Sequence, residues 1–414
     1  MIKEKKYRYI RLLLLSMLLW IGLPLNAQDA QQALETLLRS ASLDRNQTAV
    51  YIWDLEADRQ IVAYRAGEPV TPASVMKCIS TAELRAAHPY ASRLQTEVRY
   101  DGTVRDGKLT GNIIVIGSGD PSLGDGRHKD QKDFPAEIAA ALKKKGINAV
   151  EGNIKIDDSL FAGPAQHPSW GAGDLNAYYG TGVHAFNYEG NASGKAAVKN
   201  PGAVFKRKLT DAMAKAGISF QENSAVESSG KTTTLLTYQS PKINELAQSC
   251  MFRSDNLYAE TFLRLFGLKY GSDGSVAESA KKAMQYWDGL GFNMDGVQIV
   301  DGSGLSRQNR LTAEFLGSVL KSLKNDPHYT SFFPLTGEEG TVRNFLKDTP
   351  LQGYMALKTG SMNGIQSYAG YVLDEDFYPT HVVVVMTNNL KNRDNYRKAL
   401  AQFFLTLFRT GRDR

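Results

Sequence analysis

Three short stretches of the chain carry residue types able to do nucleophilic chemistry. In TPASVMKCIST (71–81), Ser74 and Lys77 stand three apart, just inside a helix start marked by Thr71-Pro72, and so share one helical face. Ser74 falls in the first turn, where free backbone N–H groups and the helix dipole stabilise a developing alkoxide. Lys77 acts as its base only if burial or a second cation lowers its pKa. Alone the pattern is weak, because a capping hydroxyl beside a snorkelling lysine gives the same letters. Two further stretches add to it. Ser254-Asp255-Asn256 lies between two helical runs, as a loop would, and Lys358-Thr359-Gly360-Ser361 follows an apolar run, as a strand entering a site would.

The order S-x-x-K, S-x-N, K-T-G along one chain is the signature set of the penicillin-recognising serine enzymes. The sequence resembles one branch of them, the class C low-molecular-mass penicillin-binding proteins, a D-alanyl-D-alanine carboxypeptidase/endopeptidase family of the penicillin-binding protein 4 type. The stretches that carry the resemblance are PASVMK, GSGDPSL, FAGPAQHPSW, SDNLYAETFLR, DGSGLSRQNRLT and KTGSMNGIQSYAGYV, which span nearly the whole chain after its N-terminal leader.

The resemblance implies a role for each matching residue. Ser74 would attack the penultimate D-alanine carbonyl and form an acyl-enzyme, with Lys77 taking its proton. Ser254, hydrogen-bonded between the lysines, would relay that proton to the leaving amine, and Asn256 would hold the substrate amide while pairing with Lys77. Lys358 would depress the pKa of Lys77 and, with Thr359 and Ser361, attract the terminal carboxylate. The backbone N–H groups of Ser74 and Ser361 would form an oxyanion hole, in which one donor is typically worth ~3 kcal/mol. Gly360 would leave the strand open to the incoming peptide. Asp174, in GAGDLNAYYG, matches the region that meets an amine of the stem peptide, although a turn-capping aspartate reads the same way. The family implies peptidoglycan peptides as substrate, β-lactams as acylating inhibitors, and no metal or organic cofactor. Asp301 and the glycines of DGSGLSRQN are read as shaping a loop near the site, and Arg343 in GTVRNF receives no role.

The elements that must position these residues are visible in outline. Residues 29–43 put Ala30, Ala33, Leu34, Leu37, Leu38 and Ala41 on one helical face. Two strand-like runs flank the polar turn Glu56-Ala57-Asp58-Arg59, which predicts a hairpin, and the helix bearing Ser74 runs to about Ala87. From about Leu94 the texture changes to short β-rich runs between glycines, with a helix at about Phe134–Lys145. Residues 95–240 are therefore read as a β-rich domain inserted into a discontinuous domain, 28–94 and 241–414. Strands return at 354–389, and YRKALAQFFLTLF closes the chain as an amphipathic helix, more often the cover of a sheet than a membrane contact. The expected fold class is α+β, an antiparallel sheet flanked by helices and completed by both chain ends. The resemblance makes it a serine β-lactamase/DD-transpeptidase-like domain.

The leader, residues 1–27, has a basic head, an apolar run from Leu12 to about Leu25 and small residues before Ala27, the layout of a cleavable signal peptide. Its run is shorter than the ~20 residues of a spanning helix, so membrane association is at most peripheral and the expected location is periplasmic. Lys3, Lys5, Lys6, Arg8 and Arg11 against Glu4 account for +4 of the net charge of +6, leaving +2 for the rest and no nucleic-acid signal. Cys78 and Cys250 are too few for a disulfide framework; a bridge between them and two small buried thiols both stay open. The six histidines lack metal-ligand spacing, and H-E-x-x-H and G-x-S-x-G are both missing, so a zinc peptidase and an α/β-hydrolase are unsupported.

Together these features predict a serine-type D-Ala-D-Ala carboxypeptidase, DD-endopeptidase or both. One rival is a β-lactamase or esterase on the same scaffold, weakened by the lack of a convincing Glu-x-x-x-Asn loop after the first motif. Another is a catalytically silent wall-scaffolding protein, weakened because every reactive position is intact. A homodimer is left open. The whole scheme requires that Ser74, Ser254 and Lys358 fold into a single cleft.

Overall fold

Both ends of the chain meet in one sheet. The computed structural model describes residues 27–40, 43–228 and 230–408, so the expected leader, Ala27 apart, lies outside the described residues. Five strands pair antiparallel in the order Met355–Met362, Ile365–Leu373, Pro379–Thr387, Thr48–Asp54, Arg59–Tyr64. The register sets Thr48 opposite Thr387, and the strand carrying Lys358 is at the edge. The valine run of Pro379–Thr387 is apolar on both faces, as a central strand covered from two sides must be. Val383 and Val385 face a cluster with Leu34, Leu37, Leu400 and Phe404 of the helices Ala27–Ser40 and Arg393–Leu407. Val382 and Val384 face the opposite cluster, with residues of the helices Met76–Ala87, Asn256–Lys269 and Ala313–Ser322. The closing amphipathic helix thus covers a sheet of its own fold. Among the described residues no helix is long and apolar enough to cross a membrane.

The chain between the hairpin and the second motif builds two four-stranded sheets of its own. One has the order Thr232–Lys242, Arg93–Asp101, Ile113–Ile116, Ile154–Asp157; the other Ser219–Glu222, Ala149–Gly152, Lys108–Thr110, Thr103–Arg105. The outermost strands in sequence, Arg93–Asp101 and Thr232–Lys242, pair with each other, so this stretch leaves and re-enters the rest of the fold at one place. Its helices start where the chemistry favours it. Asp133 accepts from the Ala136 N–H before Phe134–Lys144, and Asn200 from the Ala203 N–H before Pro201–Lys215. A separate apolar cluster around Phe134, Phe186, Phe205 and Tyr238 lies inside. Part of the stretch packs elsewhere: Phe161, Val183 and Ala185 join the helical cluster behind the second motif. Cys78 and Cys250 are both buried free thiols.

Phe404 is fully buried between the closing helix and the sheet, with Phe345 against it. Phe404→Ala is expected to cost about 3–5 kcal/mol in chemical denaturation. A cost below ~1 kcal/mol would mean that this helix is not docked as described.

Candidate active site

Ser74 sits in a single 3-10 turn, Ala73–Val75, that leads into the helix Met76–Ala87. The expected start in the α-helix itself is therefore displaced by one turn. Ala73 has φ of 51°, left-handed for a residue with a Cβ, a strain of about 1–3 kcal/mol that the surroundings must hold. Two glycines hold it. A Cβ on Gly304 would stand 1.9 Å from the Ala73 carbonyl oxygen, and one on Gly360 would stand 2.6 Å from that of Pro72 and 3.1 Å from the Ser74 nitrogen. The turn is clamped between the DGSG loop and the K-T-G strand. The free space expected at Gly360 for the incoming peptide is taken by the backbone of the nucleophile turn.

Lys77 is fully buried and makes three hydrogen bonds from Nζ: 3.0 Å to Ser74 Oγ, 2.7 Å to Asn256 Oδ1 and 2.7 Å to the Ser303 carbonyl. Asn256 Nδ2 donates to the Tyr179 carbonyl at 2.7 Å, which fixes the amide so that Oδ1 faces the lysine. Asn256 Oδ1 and the Ser303 carbonyl can only accept. An uncharged Lys77 has two N–H donors for these two acceptors, and its lone pair is then left for the Ser74 hydroxyl. The geometry admits a neutral amine whose lone pair meets the Ser74 hydroxyl.

Burial lowers the pKa of Lys77. The first opposing influence is a Cys250 thiolate, but burial pushes that thiol up to about 12, so it carries no charge at neutral pH. Glu260 and Asp301 oppose less strongly. Lys358, equally buried, is lowered to about 7 by desolvation first and then by repulsion from Lys77. Its Nζ donates to Ser254 Oγ at 2.9 Å and to the Thr359 carbonyl at 2.7 Å. Ser254 caps the helix Ile243–Arg253 with left-handed φ 57°, ψ 43°, which turns its hydroxyl toward Lys358. The expected placement of Ser254 between the two lysines is met on the Lys358 side, while the bonds of Lys77 go to Ser74, Asn256 and Ser303. Thr359 Oγ1 donates to Thr341 Oγ1 at 2.7 Å, and Ser361 is exposed beyond it.

Asp174 lies one step outside. Its carboxylate accepts from the Tyr179 hydroxyl at 3.0 Å, and the carbonyl of Tyr179 is the one bound by Asn256. Asp301 shapes the loop, as its sequence context suggests: buried, it accepts from the N–H groups of Gly304 and Ser306 and from the side chains of Asn309 and Trp170. Ser303, Glu260, Tyr179 and Thr341 escape motif reasoning. Glu260 Oε1 accepts from the N–H of Ser303 at 2.8 Å, the residue whose carbonyl holds Lys77. Its signal was its place one turn after Asn256 on the same helical face. Ser303 and Tyr179 act through backbone carbonyls, which leave no side-chain signature.

Fold and geometry together define a penicillin-recognising serine enzyme of mixed α/β architecture. The chain belongs to the D-Ala-D-Ala carboxypeptidase 3 (S13) family, whose model matches residues 30–195 and 191–407. It is a serine DD-peptidase, a hydrolase among the penicillin-binding proteins, and the family acts on peptidoglycan. The D-alanyl-D-alanine carboxypeptidase DacB of Haemophilus influenzae is 25% identical over 390 residues, covering 76% of this chain and 80% of that protein. The crystal structure of penicillin-binding protein 4 from the same organism matches with a TM-score of 0.76 at 20% identity, over 90% of this chain and 97% of that one. A penicillin G-acylated predatory endopeptidase from Bdellovibrio bacteriovorus, in complex with an immunity protein, has the same fold, with a TM-score of 0.53, 17% identity, and 86% and 89% coverage.

Two outcomes follow from the buried charges. Lys358 has a folded pKa of about 7, below the ~10.4 of an unfolded lysine. Between these values the unfolded chain binds the extra proton, so this group destabilises the fold most at and below pH 7, and stability recovers as pH rises through the window. Lys358→Met is expected to raise stability at pH 6 by about 1–4 kcal/mol, with the gain fading toward pH 10, while turnover is lost. Calorimetry against pH checks this, and an equal effect at both pH values would contradict it. Glu260→Gln keeps the acceptor for the Ser303 N–H but removes a charge that favours protonated Lys77, so the ascending limb of the acylation pH profile should move to lower pH. An unmoved limb would show that Glu260 has no electrostatic hold on Lys77.

Proposed function

We propose that Ser74 is the nucleophile of a D-Ala-D-Ala carboxypeptidase and DD-endopeptidase acting on peptidoglycan stem peptides, with Lys77 as its base. The observation that carries this is the trio of hydrogen bonds at Lys77 Nζ, which leaves a neutral amine its lone pair for the Ser74 proton. Ser74 Oγ bonds to the penultimate D-alanine carbonyl carbon as its proton passes to Lys77, and the backbone N–H groups of Ser74 and Ser361 receive the oxyanion. The C–N bond then breaks, the amine leaves with a proton relayed through Ser254, and water releases the acyl group by the reverse proton path. Lys358 in its charged form, with Thr359 and Ser361, holds the terminal carboxylate of the substrate. Asn256 orients the substrate amide, Gly360 lets the strand approach the nucleophile, and Asp174 faces an ammonium of the stem peptide.

We also propose export through the leader to the periplasm, where the substrate lies. Residues 93–242 are proposed as an inserted domain, supported by their own sheets and apolar cluster.

Intact mass after incubation with benzylpenicillin, followed by peptide mapping, tests this reading. A single adduct on the peptide containing Ser74 is expected, lost in Ser74→Ala; an adduct elsewhere would overturn the assignment. Lys77→Ala should slow acylation by about 10²–10⁴-fold. For the unaltered protein the acylation rate should fall as pH is lowered and Lys77 gains its proton.

A further inference from the structure

Away from these residues, a cleft of about 920 Å³ opens between the helix Phe134–Lys144 with the strand Thr232–Lys242 on one side and the helix Ile243–Arg253 on the other. Ser74, Lys77, Ser254 and Lys358 are not among its walls. Six cations line it: Arg93, Arg127, Lys129, Lys132, Lys144 and Arg253. The acids are Asp130, Glu137 and Glu245, giving 6 − 3 = +3. Residues 27–414 carry only (49 − 5) − (43 − 1) = +2 in all, so the residues outside the cleft wall sum to 2 − 3 = −1 and the wall is more positive than the rest of the chain.

Two of the acids are already engaged. Glu245 accepts from the Lys242 N–H at 2.7 Å, and Glu137 lies 3.6 Å from Lys132. No ion pair among the described residues includes Lys129, Lys144 or Arg253. Concave low-dielectric walls focus such a field on an anion. Leu236, Ala140 and Phe252 supply apolar wall between the charges, which suits the methyl and methylene groups of a peptide better than a bare inorganic ion. The volume is at the upper end of the ~300–1,000 Å³ of small-ligand sites, enough for several residues.

The cleft also ends at the second motif. Arg253 immediately precedes Ser254, and Arg127 pairs with Asp255, the residue between Ser254 and Asn256. Asp255 in turn caps the helix Asn256–Lys269 by accepting from the Tyr258 N–H.

We propose that this cleft binds an acidic peptide, the carboxylate-bearing stem of a neighbouring wall strand, and so holds polymeric substrate beside the loop of Ser254 and Asn256. This rests on the peptidoglycan assignment above. The first test needs no wall chemistry: fluorescence anisotropy of labelled hexaglutamate on the full chain, with Ser74 first acylated by benzylpenicillin to block the active site. Binding should weaken with added salt, and Lys129→Ala/Lys144→Ala should lower affinity by about five- to tenfold. Penicillin acylation of that variant should stay within about twofold of the unaltered rate, because neither lysine touches the reacting groups. On soluble cross-linked wall fragments the same variant should show a raised KM with kcat kept, and no such change on a short D-Ala-D-Ala peptide.

Hexaglutamate binding no tighter than hexaglutamine, or equal in both proteins, would overturn the proposal. Tighter binding of linear polyphosphate would overturn it in favour of a phosphate polymer, and an unchanged KM on wall fragments would remove the wall strand as occupant. Failure of penicillin to acylate Ser74 is a separate result, which would strike the assigned nucleophile and leave the affinity of the unacylated chain for hexaglutamate to be read on its own.

Discussion

Two ammonium groups in one dry site set the terms for the rest of this molecule. Lys77 and Lys358 are both without solvent exposure, and moving a single such ion out of water costs several kcal/mol even after relaxation. The counter-charge within reach is limited. Burial pushes Glu260 up to about 7, and Asp301 is occupied by four donors of its own loop region. Burial accordingly lowers the pKa of Lys77 and favours its uncharged form. Desolvation thereby shifts the titration of an amine that stands at hydrogen-bond distance from the Ser74 hydroxyl. The same cost makes the site an unstable part of the fold, maintained because the surrounding elements over-determine it.

That over-determination comes from long-range closure. The strand of Lys358 reaches the nucleophile turn only because Thr48–Asp54, near the start of the chain, pairs with Pro379–Thr387 near its end. Gly360 and Gly304 let two segments press against the left-handed Ala73, and neither position admits a Cβ without backbone movement. The second motif is held by its helices: Ser254 terminates one, and Asp255 caps the next. Ser74, Lys77, Ser254 and Asn256 are thus placed at the ends of helical elements, where free backbone groups and caps constrain them most, while Lys358 is placed from within a strand.

Much of the site was legible because its key pair is local. Ser74 and Lys77 need only one helical turn to meet, and the flanking elements declared themselves by periodicity and punctuation. The helix read at Phe134–Lys145 spans Phe134–Lys144, and the first helix, read at 29–43, spans Ala27–Ser40. The partners of Lys77 were harder to see. Ser303 and Tyr179 contribute carbonyl oxygens that any residue could supply, so their selection depends on tertiary placement alone. The 3-10 turn at Ser74 reflects the pressure of Gly304 and Gly360 from segments far along the chain, which no local propensity encodes. The packing of Phe161, Val183 and Ala185 against the helical core is likewise invisible in the glycine-rich texture of that stretch.

Burial leaves two lysines with lowered pKa values, one of them hydrogen-bonded to Ser74. The most direct measurement is an NMR titration of the protein with ¹³C-labelled lysine, assigned by replacing Lys77 and Lys358 singly. Two resonances titrating well below the rest, that of Lys358 near pH 7, are the predicted result. A titration in which every lysine keeps its proton up to the ordinary ~10.4 would contradict the account.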